Sequence, residues 1–316
     1  MDEKEFVQGL KKQFTFSLGK GIGDDASSVK INHEHQLVTT DLLVETIHFR
    51  LEDNTLKELA AKAVAVNLSD IAAMGGIPQY FYLNLAFPHT FTRWELDQFF
   101  NGLRDACRRW KVELAGGDLS RSPHLTIAIT MVGKAKDPAF RNGAQPGDLI
   151  GITGPTGYSA LGLHLLKNKV PAPFWTRKHK RVIPQIAEGQ ILAPLVSAMI
   201  DVSDGLLMDL ARILDESEQG GIVFYEKLPV SSTFIKRCET NGLDASHLAL
   251  AGGEDYVLLF TLPPLRLGKL KKENITTHII GEVTANKDSL QIFRHGRLIS
   301  PPPTLGYDHF NSLRND

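Results

Sequence analysis

Apolar residues recur at helical spacing through Leu56, Leu59, Ala60, Ala63, Val64, Val66, Ile71 and Met74, and together they fill most of a helix circumference. Thr55 with Glu58 is the capping-box pattern that starts a helix, and Gly75-Gly76 with Pro78 beyond is a pattern that ends one. The spacing therefore predicts a buried helix over residues 56–74. A second box, Thr92 with Glu95, predicts a helix through Leu96, Phe99, Leu103, Ala106 and Trp110. Alternating stretches predict strands at 28–32, 37–41, 80–87, 112–114, 124–132, 148–153 and 278–283, and an apolar strand runs up to Phe260. Residues 134–147, with Pro138, Gly143 and Pro146, interrupt this pattern. Beyond them it restarts as strand, the turn Gly154-Pro-Thr-Gly157, and a helix from Tyr158. The organisation expected is α/β (α+β) in two domains, 1–137 and 138–316.

Composition narrows the class. At 316 residues, 42% hydrophobic and 22% charged, the chain reads as a soluble globular protein with room for two domains. Its 35 basic and 36 acidic side chains leave a formal charge of -1, so no overall field favours nucleic acid or an anionic membrane. Cys107 and Cys238 make neither a disulfide framework nor a zinc pattern. No apolar run approaches a membrane span, and the opening residues are acidic, so a cytoplasmic location is expected. The basic cluster from Lys167 to Arg181 lies among prolines and reads as a solvated loop.

Polar residues inside the apolar pattern carry the chemistry. Asn67 and Asp70 share one face of the predicted buried helix, where a carboxylate must be paired, metal-bound or protonated. Other acids sit beside glycine, serine or threonine: Asp24 and Asp25 after Gly21-Ile-Gly23, Asp41 after Thr39-Thr40, Asp118 after Gly116-Gly117, Asp201 and Asp204 around Ser203, and Glu254 with Asp255 after Gly252-Gly253. The Gly19–Ala26 turn lacks the following helix of a dinucleotide fingerprint. Ser203 is placed to cap a helix carrying Leu206, Leu207, Leu210 and Ile213. Asp201-Val-Ser-Asp204 also echoes Asn67-Leu-Ser-Asp70, each with a methionine four positions later, a weak hint of related halves.

Acids converging at roughly 4 Å would repel by about 4 kcal/mol per pair at an effective dielectric near 20. A cation must then sit among them, and an oxygen-only ligand set makes magnesium the natural candidate, with substrate phosphates completing its shell. That points to phosphoryl transfer from ATP without a P-loop or protein-kinase signature. Glycoside hydrolysis by paired carboxylates is the rival chemistry, and it leaves most of these acids without a role.

Seven motifs then stand in one order: Gly-Ile-Gly-Asp-Asp-Ala, Thr-Thr-Asp-Leu-Leu-Val-Glu with His48-Phe49, Asn-Leu-Ser-Asp-Ile-Ala-Ala-Met-Gly, Gly-Gly-Asp, Asp-Val-Ser-Asp-Gly-Leu, Gly-Gly-Glu-Asp-Tyr and Gly-Tyr-Asp-His-Phe. Together they resemble the thiamine-monophosphate kinase family, of the aminoimidazole ribonucleotide synthetase-like superfamily, from about Gly21 to Phe310. The resemblance implies a two-domain fold whose N-terminal domain binds ATP and metal and forms a homodimer through its strands, followed by a C-terminal α/β domain. It implies several magnesium ions held by Asp25, Thr39, Thr40, Asp41, Asp70, Asp118, Asp201 and Asp204, with Asp25, Asp41, Asp70, Asp118 and Asp204 central to catalysis. It further implies ATP contacts from Gly117, Asp118, Arg141 and Ser203, and thiamine phosphate held by His48, Glu254 and Tyr307. Three positions differ from the family pattern: Phe100 stands for a tyrosine, Tyr307 for a tryptophan, and Gln185 for an arginine. The hydrogenase-maturation branch of the superfamily would need a C-terminal cysteine, and this chain ends Leu313-Arg-Asn-Asp.

Overall fold

The computed structural model describes residues 3–14, 16–287 and 289–308. His309, Phe310 and the final Leu313-Arg-Asn-Asp lie outside these residues. Strands β1 (Gly19–Lys20), β2 (Ser27–Ile31), β3 (Glu34–Val44), β4 (Ile77–Phe87), β5 (Glu113–Arg121) and β6 (Thr126–Ala135) form one sheet, ordered β1-β2-β3-β6-β4-β5. Only β4 and β5 pair in parallel. A second sheet holds β7 (Leu149–Ile152), β8 (Ala198–Asp201), β9 (Gly220–Phe224), β10 (Leu258–Leu262), β11 (His278–Thr284), β12 (Leu290–Arg294) and β13 (Arg297–Ile299), ordered β13-β12-β9-β11-β7-β10-β8. The helices are α1 (Glu3–Gln13), α2 (Leu56–Ala73), α3 (Arg93–Trp110), α4 (Tyr158–Lys167), α5 (Pro173–Lys180), α6 (Ile186–Leu192), α7 (Leu206–Glu216), α8 (Ser232–Thr240), α9 (Ala245–Ala251) and α10 (Leu267–Leu270). This is a mixed α/β fold with two sheets. Among the described residues no helix is long and apolar enough to cross a membrane.

Both capping boxes form. Thr55 and Thr92 accept from the backbone N–H of Glu58 and Glu95, and each glutamate returns to the cap backbone. Helix α2 is apolar nearly all round because it is buried on two sides. Leu59, Val64, Leu68 and Ile71 pack with Leu37, Phe81 and Ile129 of the first sheet, whereas Ala72 and Ala73 pack with Leu192 of α6 and with Met199 and Phe260 of the second sheet. Each fully buried Leu or Ile there contributes about 1.5–3 kcal/mol. Gly102 lets α3 lie close on α2, since a Cβ there would sit 2.5 Å from Lys57 Cα.

Helices α2 and α3 cover one face of the first sheet. Leu37, Thr39, Asp41 and Leu43 alternate toward them, while Thr40 and Leu42 face the other side and are exposed. On that side Leu42 and Tyr82 are each about half exposed (52% and 44%).

Four expectations change. Strand β5 runs straight through Gly116-Gly117-Asp118, and all its residues are exposed. Gly117 is required by its neighbour strand, because a Cβ there would lie 1.8 Å from the Leu83 carbonyl oxygen. The basic stretch read as a loop contains α5, whose Trp175 and His179 are buried. Ser203 caps nothing; Gly205 begins α7, and the Asp209 carboxylate accepts from the N–H groups of Asp204 and Gly205, both at 3.1 Å. The echo between Asn67–Asp70 and Asp201–Asp204 is not structural, since the first lies inside a helix and the second spans a strand end and a loop.

Candidate active site

Acids from four segments meet where the two sheets join through α2. Carboxylate oxygens of Asp25, ahead of β2, Asp70 on α2 and Asp201 at the end of β8 lie within 4.8 Å of one another. Thr39 Oγ1 donates to Asp70 Oδ2, and Ser69 Oγ donates to Asp201 Oδ2 at 2.6 Å. Successive residues of one helix thus carry one acid and brace another. Asp41 adjoins this group, close enough to feel Asp204 and Asp25.

The electrostatics are unfavourable in the bare protein. Burial raises the Asp70 carboxyl well above its usual range, and Asp41, Asp201 and Asp25 raise it further. Asp201 is raised by burial and then by Asp25. Asp41 is pushed up to about 6 by burial and by Asp204 and Asp25. Three cations, of which only Arg141 comes from a distant position, meet Asp25 and the outlying acids. Arg141 Nη2 donates to Asp25 Oδ1 at 2.6 Å, and its backbone N–H donates to Asp24 Oδ1 at 2.7 Å. Arg212 bridges Asp204 and Asp209 at 2.6 Å each. Lys20 lies 3.8 Å from Asp24. Among the described residues no basic side chain bonds Asp41, Asp70 or Asp201.

One polar atom sharpens this. Asn67 Nδ2 donates to the Ala63 carbonyl at 3.0 Å, which leaves buried Oδ1 with no partner. Asn67 shares the helix face of Asp70, three residues away. An orphaned buried acceptor costs about 1–3 kcal/mol, and beside three uncompensated acids it fits a site built for a hard, oxygen-liganded cation.

The loop after β8 is flanked by two further segments. Glu254 N–H donates to the Ser203 carbonyl at 2.6 Å, Tyr256 N–H to Val202 at 2.8 Å, and Tyr307 N–H to Asp204 at 2.9 Å. Glu254 and Tyr256 hold left-handed backbones, φ 63° and 52°, a strain that clusters at functional sites. Burial opposes charge on Glu254, yet Lys62 at 2.9 Å and His179 at 2.9 Å hold its carboxyl well below the usual range. Burial raises the Tyr256 hydroxyl far above its ordinary range, reinforced by Glu254, Asp41, Asp201 and Asp204. His48 stands just past β3, its Nδ1 accepting from Val44 N–H at 3.0 Å.

The remaining expected residues lie elsewhere. Asp118 pairs with Asn84, and the row Asp41–Ile129–Leu83–Gly117 runs across β3, β6, β4 and β5. Gly117 and Asp118 are therefore three strand spacings from Asp41, roughly 14 Å, and Asp118 shares the open face with Asn84 rather than the helix side. Thr40 Oγ1 also turns to the open face, donating to the Ile129 carbonyl at 3.1 Å. Asp255 accepts from the Gly157 and Ser159 N–H groups at the start of α4, so a carboxylate fills that helix start, where a phosphate could otherwise bind. Phe100 packs edge-on to Phe99 at 5.7 Å, and Gln185 Oε1 is buried without a partner.

Sequence reasoning did not single out Lys62, Ser69, His179, Arg212 or Tyr256. Lys62 carried the same signal as Asp70, a charge on an apolar helix. His179 was hidden in the basic cluster. The others show no sequence signal beyond their neighbours.

The chain matches the family models for AIR synthase related protein, N-terminal domain at residues 23–135 and C-terminal domain at residues 145–292. It is 38% identical over 305 residues to thiamine-monophosphate kinase of Escherichia coli K12, covering 92% of this chain and 91% of that one. It is 37% identical over 313 residues to thiamine-monophosphate kinase of Haemophilus influenzae Rd, covering 94% of each. Its fold superimposes on the solved structure of AaThiL complexed with AMPPCP and TMP with a TM-score of 0.88 at 30% identity, over 98% of this chain and 97% of that one. Domain order, buried acids and near full-length identity converge: the chain belongs to the thiamine-monophosphate kinase family of AIR synthase related proteins.

Proposed function

We propose that the protein phosphorylates thiamine monophosphate to thiamine diphosphate with ATP, and that it does so in the cytoplasm. The observation that carries this reading is the junction of Asp25, Asp41, Asp70 and Asp201, four acids gathered without enough cations. With Thr39, the Thr40 carbonyl and Asp204 they would hold magnesium ions, which when bound neutralise phosphate charge and bring two anions together. Arg141 and Ser203 are assigned to ATP. His48, Glu254 and Tyr307 are assigned to thiamine monophosphate, with Glu254 fixed by Lys62 and His179.

The chemistry asks little of the chain's own groups. A substrate phosphate oxygen is already anionic, so it forms the new bond to the γ-phosphorus without a strong base, while the bond to the β–γ bridging oxygen breaks and ADP leaves. Incubation of purified protein with ATP, magnesium and thiamine monophosphate should give thiamine diphosphate and ADP in equal amounts; ADP with no thiamine diphosphate would reject the acceptor.

Asp118 requires a second copy of the chain. Its strand is an exposed sheet edge, a feature proteins normally cover, and it borders an open face carrying Leu42 and Tyr82. We assign that surface to a homodimer in which Asp118 and Gly117 of one copy complete the acid pocket of the other. Mixing inactive Asp70→Asn and Asp118→Asn proteins should then restore activity. With free subunit exchange half the dimers are mixed and each has one intact site, giving about a quarter of wild-type activity. No recovery, with exchange verified, would contradict the shared site.

A further inference from the structure

A cleft of about 550 Å³ opens between α2 and α3 on one side and α5 on the other, a volume within the range of about 300–1,000 Å³ typical of small-molecule sites. It is separate from the acid pocket. Ala61 on its wall lies nine residues before Asp70, which places it half a turn round α2 and roughly 13 Å along the axis.

Its lining is cationic. Lys57, Arg109, Arg177, Lys180 and Arg181 converge from three elements, with Trp110 beside them and the Arg109 guanidinium 5.2 Å over the Trp110 ring. Two acids also line it, but both are engaged elsewhere. Glu58 accepts from the Thr55 backbone and hydroxyl at 2.9 and 3.0 Å, and Asp105 lies 3.7 Å from Arg108. Among the described residues none of the five cations has a carboxylate within ion-pairing distance. Lys62 on the same wall is spent on Glu254. In a chain of net charge -1, five unpaired like charges facing one another across two halves of the fold repel until an anion enters.

We propose that this cleft binds a nucleoside polyphosphate without a divalent cation, its phosphates among these lysines and arginines and its base against Trp110. Arginine forks match phosphate oxygens in pairs, and the aromatic wall has no use for an inorganic anion. The acid pocket differs in kind, because it repels phosphates unless metal is bound.

That difference supplies the test. The full chain is titrated with ADP in excess EDTA by calorimetry. Saturable binding to one site per chain is expected, weakening as salt is raised. The double variant Arg177→Glu/Arg181→Glu, both exposed positions, should lower ADP affinity at least tenfold while its KM for ATP with magnesium stays within twofold. Arg109→Glu serves as a second variant and should act the same way. Pyrophosphate in EDTA should bind at least tenfold more weakly than ADP. Absence of saturable ADP binding, unchanged affinity in the variants, or pyrophosphate binding as tightly as ADP would each overturn the proposal.

Discussion

Asp70→Asn should lower turnover about a thousandfold, equivalent to roughly 4 kcal/mol of lost stabilisation, and should raise the melting temperature of the metal-free protein. The two effects have one cause. Asp70 is half-buried beside Asp25 and Asp201, with its acidic neighbours pushing its carboxyl up rather than down. A group whose folded pKa is raised binds protons more readily in the native state than in the unfolded one, so its ionised form destabilises the fold, and stability falls as pH rises through that window. Asparagine removes the charge and keeps an oxygen for the Thr39 hydroxyl. Steady-state turnover with magnesium and thermal unfolding in EDTA check this. Turnover within a few fold of wild type, or a lower melting temperature, would count against the assigned role.

Lys62→Met should destabilise the protein, by less than the about 3–5 kcal/mol lost when one partner of a fully buried ion pair is removed, because the Glu254 side chain is 28% exposed and keeps His179. Lys62 is 4% exposed, and its charge is the largest single attraction that keeps Glu254 ionised, with His179 next. Methionine fills the space but leaves the carboxylate facing His179 alone. Adding Glu254→Gln to Lys62→Met should recover part of the loss, because the stranded charge disappears. Denaturant unfolding of Lys62→Met, Glu254→Gln and the double variant measures the coupling. Additive effects of the two substitutions would show that the pair does not act as a unit.

Much of this was legible in residue order. The two capping boxes mark α2 and α3 because cap chemistry is local, and the all-round apolar character of α2 announces burial on both sides. Asp70 stands out for the same reason, as a charge where none is cheap. Long-range pairing is what the order of residues does not encode. Asp118 reads like the other acids, yet strand order puts β6 and β4 between it and Asp41. Lys62 meets Glu254 across 192 positions, whereas Arg212, on α7, pairs with Asp204 just ahead of that helix. Asp255 shares a motif with Glu254 but is consumed at a helix N-terminus, and the prolines of the basic stretch hide the short helix α5.

If the acid pocket holds divalent cations, magnesium binding must release protons from it, which calorimetry in buffers of differing ionisation heat measures. With Asp41 near 6 and Asp70 and Asp201 raised, the bare pocket carries protons in weakly buffered solution at about pH 6, and the metal must displace them. Saturable magnesium binding with protons released is expected, both sharply reduced in Asp70→Asn. Magnesium binding without proton release, or an unchanged signal in that variant, would contradict it.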